Sequence, residues 1–354
     1  MPRTYLLEKS CRLVLHPGDD AMHAILRQLG FESIPAFPQL LFIDLTKGRL
    51  EQILESIDAR ISVTSQAHAR YVIVPTPSTR EEGAWSFVPQ LLLMDLLQAQ
   101  PLNTLMQSMK DAWFLHVLLQ QQLFFVYQPI FDLQSGQVFA HECLARAQND
   151  QGVIFSGQQL IDAACSTNLA HEFDHLARTT CISAISEIGP EETFFINVLP
   201  KTLLHHPQVF EEHFQAILAL GLRPQQIVWE LTEIQAVPQD SQLKQVIEYI
   251  RSLGFGIAID DLWSTVALDH YVTDVRPDLV KLDRQLINGC SLHPVKQVLI
   301  KALVDASHTM GIKVVAEGLE TVEDISFCQQ LGVDLGQGYG LARPRCELHS
   351  QCFA

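Results

Sequence analysis

Positive charge is scarce in this chain: 24 Lys and Arg stand against 40 Asp and Glu, a formal net charge of −16 over 354 residues. That balance argues against binding polymeric nucleic acid, whose affinity comes mainly from Lys and Arg on phosphates. A small phosphate ligand stays open, because metal ions can bridge like charges. The eight cysteines (Cys11, Cys143, Cys165, Cys181, Cys290, Cys328, Cys346 and Cys352) include no Cys-x-x-Cys pair and no zinc-ligand spacing. Reduced thiols in a cytoplasmic protein are the expectation. No run approaches the ~20 apolar residues of a membrane span, and Met1-Pro2-Arg3-Thr4-Tyr5 lacks a leader's apolar stretch. No Gly-x-Gly-x-x-Gly opens a helix early in the second half, which weakens a dinucleotide-binding reading. What is present is material for a core: 47% hydrophobic and only 18% charged residues. The length suits one large domain and a small one.

Residues 1–100 read as a small α/β domain of regulatory or sensory type. Arg12–His16, Gln39–Leu45 and Arg70–Val74 look like strands, with helical patterns around Ala21–Leu29 and Leu50–Ile61, and the alternation suggests a small parallel sheet. Asp44 at a strand end invites comparison with a phospho-acceptor. The acidic pair and strand-end Lys that should accompany one are missing, so a structural or sensory module is expected. Residues 101–122 read as a helical connector, with Pro101 at its start.

From residue 123 to 354 apolar runs alternate with amphipathic helices. Three of those helices close on glycine, at Gly254, Gly311 and Gly332, where a residue past the helix end often needs positive φ. Eight or so strands alternating with helices predict a TIM-type (β/α)8 barrel. In such a barrel the strand ends converge on one face. Those ends carry Glu142, Asn197, Glu230, Asp260 with Asp261, Lys281, Glu317 and Gln337. So many carboxylates in one mouth repel unless cations neutralise them. The donors are oxygen, which favours hard Mg2+ or Mn2+ over zinc. Lys281 suits a place beside developing negative charge; the plainer alternative is a salt bridge to Asp283 or Asp261.

Taken together, Tyr127-Gln128-Pro129-Ile130, Glu142-Cys143-Leu144-Ala145-Arg146, Phe195-Ile196-Asn197-Val198, Glu230-Leu231-Thr232-Glu233, Asp260-Asp261, Lys281-Leu282-Asp283, Ala316-Glu317-Gly318-Leu319-Glu320 and Gln337-Gly338-Tyr339 resemble the EAL domain. This is a family of barrel phosphodiesterases that linearise the bacterial second messenger cyclic di-GMP. The resemblance implies two metals, held by Glu142, Asn197, Glu230 and Asp260, with Asp261 on the second. It implies that Lys281 contacts the attacking water and that Glu317 and Gln337 complete the metal and water shell. Gln128 and Arg146 are implied substrate contacts, the latter suited to phosphate by its fork of donors. Glu233 and Glu320 are implied to brace the loop after the acid pair. The implied reaction is two-metal hydrolysis of one phosphodiester to linear pGpG.

Two departures from the family pattern stand out. Cys143 replaces the signature alanine. After Asp261 the family's Phe-Gly-Thr-Gly gives way to Leu262-Trp263-Ser264-Thr265-Val266, without either glycine. The second departure bears on turnover rather than fold, since glycine reaches backbone angles that cost other residues about 1 kcal/mol or more. A barrel that binds cyclic di-GMP without cutting it, and an interaction scaffold, are the alternative readings. A homodimer and signalling protein partners are further expectations of the resemblance.

Overall fold

Gly254, Gly311 and Gly332 follow the helices Ser241–Ser252, Pro294–Thr309 and Val322–Leu331 with φ of +92°, +75° and +82°. These three helices therefore end where the sequence predicts. The computed structural model describes residues 11–35, 37–75, 99–149, 152–188, 191–199, 207–232, 241–262, 275–349 and 352–353. The chain divides into two units, Met1–Leu115 and His116–Ala354.

The first unit runs β1 (Cys11–His16), helix Asp20–Gln28, β2 (Glu32–Ile34), β3 (Phe37–Leu45), helices Lys47–Asp58 and Val63–His68, β4 (Arg70–Pro75), β5 (Gln100–Pro101) and helix Leu102–Lys110. Its sheet has the order β2-β3-β1-β4-β5, and every pairing is antiparallel. This corrects the expected parallel sheet. β1 and β2 do run the same way, as do β3 and β4, but β3 lies between the first pair and β1 between the second. Alternation of strand and helix reveals a crossover; it does not reveal a strand inserted inside it. Helix residues Met22, Leu26, Leu50, Leu54 and Ile57 pack with Leu13, Leu15, Leu41 and Ile43 of the sheet. Leu102, Leu105 and Met106, from the stretch read as connector, belong to the same core. Asp44 accepts from Arg12 Nε at 2.7 Å and Nη2 at 2.9 Å across its register position on β1. Its carboxylate is engaged in a cross-strand pair.

The second unit contains β6 (Leu123–Asp132), β7 (Val138–Gln148), the short β8 (Ile154–Phe155), β9 (Phe194–Val198), β10 (Ile227–Leu231), β11 (Gly256–Leu262), β12 (Leu279–Leu282), β13 (Lys313–Ala316) and β14 (Leu335–Gly336). The order β6-β14-β13-β12-β11-β10-β9-β7, closed by pairing of β6 with β7, makes an eight-stranded barrel with helices outside. One strand departs from the all-parallel plan: β6 is antiparallel to both neighbours. Only the five residues Leu133–Gln137 join β6 to β7, and a parallel crossover needs a dozen or more. The Asp132 carboxylate accepts from the backbone N–H of Gln134 at 3.1 Å and Ser135 at 2.8 Å, which fixes that turn. Among the described residues no helix is long and apolar enough to cross a membrane.

Because strand side chains alternate, each barrel strand serves two environments. On β9, Phe194, Ile196 and Val198 join the cluster that includes Cys181, Ile182 and Ile185 of the helix Ala170–Ile188. Phe195 points the other way, into the barrel. There it meets Ile130, Ala140, Val228, Ala258, Leu279, Val315 and Leu335, so each of the eight strands supplies one residue to a buried apolar layer.

Candidate active site

Two residues along from that apolar layer, towards the mouth, lies a second inward-facing layer. Stepping by two gives Glu142 on β7, Asn197 on β9, Glu230 on β10, Asp260 on β11, Lys281 on β12, Glu317 just past β13 and Gln337 just past β14. On antiparallel β6 the same step is taken backwards and gives Gln128, whose register partner is Glu142. Apart from Asp261, the strand-end residues named from the sequence are thus one polar layer, each delivered by the period of two.

Lys281 holds the layer together. It is 1% exposed, and its ammonium Nζ stands 2.5 Å from Glu230 Oε1, 2.6 Å from Glu317 Oε1, 3.3 Å from Glu142 Oε2 and 3.9 Å from Asp260 Oδ1. The pairing with Asp283 or Asp261 considered from the sequence gives way to these four. Gln337 Nε2 donates to Glu142 Oε2 at 2.8 Å and Asn197 Nδ2 donates to Glu142 Oε1 at 3.2 Å.

Burial and charge pull these groups in opposite directions. Burial tends to raise the Glu142 carboxyl, but Lys281, Gln337 and Asn197 outweigh it and hold Glu142 below its usual range. Glu230 is driven well up by burial and by the neighbouring Glu142 charge. Glu317 is pushed up to about 8, first by burial, with Asp260 and Glu142 adding to it against the pull of Lys281. Lys281 loses some proton affinity to burial and gains more from Glu142, Glu230 and Glu317, so it lies well above the ordinary lysine value.

The acid pair is presented by a local irregularity. The register of β11 against β12 shifts between Ile259 and Leu262, and Asp261 has φ +57°. A bulge re-aims side chains at a strand end, and Asp tolerates the left-handed region better than most residues. The Asp261 backbone N–H donates to Asp260 Oδ1 at 2.8 Å. Burial and the charge of Asp260 push the Asp261 carboxyl up to about 6.

Among the described residues two acid groups offer ligand atoms that lie within 4.8 Å of one another: Glu142, Glu230 and Glu317, and Asp260, Asp261 and Glu317. Glu317 belongs to both. Glu230 Oε2 is buried with no hydrogen-bond partner among the described residues, which suits an oxygen that could serve a cation. An all-oxygen donor set with excess negative charge fits a hard divalent cation.

Residues 111–344 match the family model described as the EAL domain. The chain belongs to the EAL domain family. It is 29% identical over 237 residues to the cyclic di-GMP phosphodiesterase PdeB of Shewanella oneidensis, a match covering 66% of this chain and 28% of that protein. To the probable cyclic di-GMP phosphodiesterase PdeN of Escherichia coli K12 it is 28% identical over 232 residues, 64% of this chain and 44% of that one. The chain spans less than half the length of either relative. Among solved structures, a standalone EAL protein from Vibrio cholerae O395 bound to c-di-GMP shares 26% identity at a TM-score of 0.58, covering 64% of this chain and 94% of that one. The EAL domain of Xanthomonas citri FimX has the same fold, with a TM-score of 0.63 at 17% identity over 70% of this chain and 98% of that one.

The implied substrate contacts and loop braces lie in the polar layer of the EAL domain, as Gln128 does, or outside it. Gln128 is buried, and its amide Nε2 lies 3.5 Å from the Ala342 carbonyl. Arg146, further along β7, donates from Nη1 to the Ala145 carbonyl at 2.8 Å, and burial lowers its proton affinity. Glu320 accepts from Arg284 Nη2 at 2.6 Å. Glu233 and residues 263–266 of the divergent loop lie outside the described residues.

A cavity of about 280 Å³ opens beside Glu142, Asn197, Asp260 and Asp261. Its wall includes Asp174 and Arg178, a buried ion pair that sequence reasoning missed. Arg178 Nε also faces His213 Nδ1 at 3.4 Å, and Asp174 Oδ1 accepts from the Leu199 backbone N–H at 3.3 Å. The available signal was an Asp and an Arg four apart within an amphipathic helical stretch.

Proposed function

We propose that this EAL domain is a metal-dependent phosphodiesterase that opens one phosphodiester bond of cyclic di-GMP to give linear pGpG. Two divalent cations, Mg2+ or Mn2+, serve the reaction. The observation that carries this reading is the pair of acid groups joined at Glu317. Glu142, Asn197, Glu230 and Asp260 would hold one ion and Asp261 the other, with Glu317 shared. When bound, such ions supply an activated water, a polarised phosphate and a stabilised leaving oxygen.

The chain's own residues do the rest. Asn197 and Gln337 fix the orientation of the Glu142 carboxylate from both sides. Lys281 stays protonated at working pH and offers a buried, preorganised cation to charge developing beside the cluster. Arg146 supplies a fork of donors for a phosphate, and Gln128 an amide for the same ligand. The names of the curated relatives support cyclic di-GMP as the substrate. The first unit has a core of its own, and both acid groups lie in the second. A regulatory part for the first unit, in a cytoplasmic protein, completes the proposal.

Incubation of the full chain with cyclic di-GMP and Mg2+ or Mn2+, with nucleotides resolved by chromatography, tests it. The expected outcome is pGpG from the natural chain and none from Glu142→Ala, with the fold of the variant intact by circular dichroism. Binding without product would replace the enzyme by a sensor. Neither product nor binding in a folded sample would leave a scaffold.

A further inference from the structure

Glu317 belongs to both acid groups and stands 2.6 Å from Lys281 Nζ, yet it lies just past the end of β13, on the turn Glu317-Gly318-Leu319-Glu320. Its carboxylate is only as well placed as that turn. Two neighbouring segments hold it. After β14 the chain runs alongside: the Leu319 N–H donates to the Gln337 carbonyl at 3.1 Å, and the Gly340 N–H donates to the Leu319 carbonyl at 2.8 Å. These bonds flank Gly338 and bring it hard against the Leu319 peptide. A methyl group on Gly338 would lie 2.7 Å from the Leu319 carbonyl carbon, and closer still to the Leu319 nitrogen and oxygen. Gly338 is not among the glycines with positive φ, so it is the approach of Leu319 that demands glycine there. Just past β12, Arg284 lies across Gly318, where a methyl group would come 2.8 Å from the Arg284 Cβ. Its Nη2 donates to Glu320 Oε1 at 2.6 Å. The Leu319 side chain, fully buried, anchors the middle of the turn in the core.

We propose that Gly338 and Arg284 are positioning residues for Glu317, which together fix the turn that carries the one carboxylate common to both acid groups. A side chain at 338 must push the Leu319 peptide away by on the order of 1 Å to reach ordinary contact, and a shift of that size at a catalytic group costs about a hundredfold in rate. The same push strains the bonds on either side of 338. One of them is accepted by Gln337, whose amide also holds Glu142. Arg284 acts more weakly. Its side chain is 63% exposed and that of Glu320 35%, and an exposed ion pair contributes little. Its removal still uncovers Gly318, the residue next to Glu317.

Loss of turnover rests on the proposed phosphodiesterase activity; the hold on the turn does not. The test compares the full chain with Gly338→Ala, Arg284→Ala and Gly336→Ala. Gly336→Ala adds its methyl group against the Cδ atoms of Leu133 and Leu319, which can swing aside, and not against backbone. Hydrogen exchange of the metal-free chain across 317–320 and 337–340, read by mass spectrometry, reports the turn. Mn2+ binding by electron paramagnetic resonance reports the site, and pGpG formation the chemistry. In Gly338→Ala, exchange should quicken by about tenfold or more, with Mn2+ affinity down about tenfold and turnover about a hundredfold. Arg284→Ala should move all three the same way by about two- to fivefold. Gly336→Ala should melt at lower denaturant and keep its exchange pattern, Mn2+ affinity and turnover. Unchanged exchange in Gly338→Ala and Arg284→Ala would overturn the proposal. So would equal losses in Gly336→Ala, or faster exchange with Mn2+ affinity intact. If Gly338→Ala does not fold, Arg284→Ala decides by the same readouts. A natural chain that binds Mn2+ but forms no pGpG would sink the enzymatic reading, while exchange and Mn2+ binding still decide the two positioning residues.

Discussion

Ile130, Ala140, Phe195, Val228, Ala258, Leu279, Val315 and Leu335 form one layer of the barrel interior. Gln128, Glu142, Asn197, Glu230, Asp260, Lys281, Glu317 and Gln337 form the next, two residues on along the same strands. The first layer is buried and apolar and is stabilised by leaving water. The second is nearly as buried, yet it carries four carboxylates and one ammonium, a formal excess of three negative charges. Identical backbone geometry thus produces opposite energetics. The apolar layer is complete in itself, whereas the polar layer is balanced only by Lys281, by protons on its raised carboxyls, and by whatever cations it takes up.

The sharpest way to break this contrast is to move charge from one layer to the other. Ala258→Asp places a carboxylate in the apolar layer, where Ala258 is 0% exposed and its register partner on β10 is the acidic Glu230. An uncompensated buried charge exceeds what a marginally stable domain tolerates. The expected outcome is loss of the cooperative melting transition; a normal melt would show that the layer admits water or a counter-ion.

Removing the polar layer's own balance should have the next largest effect. Lys281→Met leaves Glu230 and Glu317 facing each other without their shared cation. Breaking a buried pair from one side costs about 3–5 kcal/mol, measured as a fall in stability with chelator present. Mn2+ should restore much of the loss, while turnover stays down by at least a hundredfold. Unchanged stability would mean that the ammonium contributes nothing to holding the layer.

The smallest effect is a pH dependence. Between the ordinary carboxyl values of 4.5 for Glu317 and 3.8 for Asp261 and their raised values of about 8 and about 6, the folded chain holds protons that the unfolded chain has lost. Stability of the metal-free chain from these groups therefore falls as pH rises through that window. Cations compete with the same protons, so Mn2+ affinity should rise over the same range. Denaturant melts and Mn2+ titrations at pH 5.5 and 8.5 would show both trends, and Glu317→Gln should flatten them. Affinity that stays level with pH would contradict protonated acids at the site.

Much of this contrast is legible in the sequence because it follows from alternation. An apolar residue two places before an acid or amide recurs in Ala140 and Glu142, Phe195 and Asn197, Val228 and Glu230, and Ala258 and Asp260. The closing glycines marked the helix ends for a similar local reason. Strand direction is not local in that sense. A period of two looks the same read forwards or backwards, so antiparallel β6 and the split sheet of the first unit escaped notice. The Asp132 to Gly136 turn carried the clue, since the strands it joins are too close for a helix between them. Asp174, Arg178 and His213 escaped for a different reason. They come together from two helices, and no single stretch of sequence holds their contact.

The bulge at Asp261 has a consequence for how such a domain can change over generations. Its positive φ suits only the few residues at ease in that region, chiefly Gly, Asn and Asp. Asparagine and glycine are each one base change from either aspartate codon, and both keep the backbone while discarding the carboxylate. A lineage that no longer needs the second acid group can leave it in a single step without unfolding the barrel. The same substitution at an acid of the polar layer itself would remove a partner of Lys281. Position 261 is where this architecture can lose an acid and keep its fold.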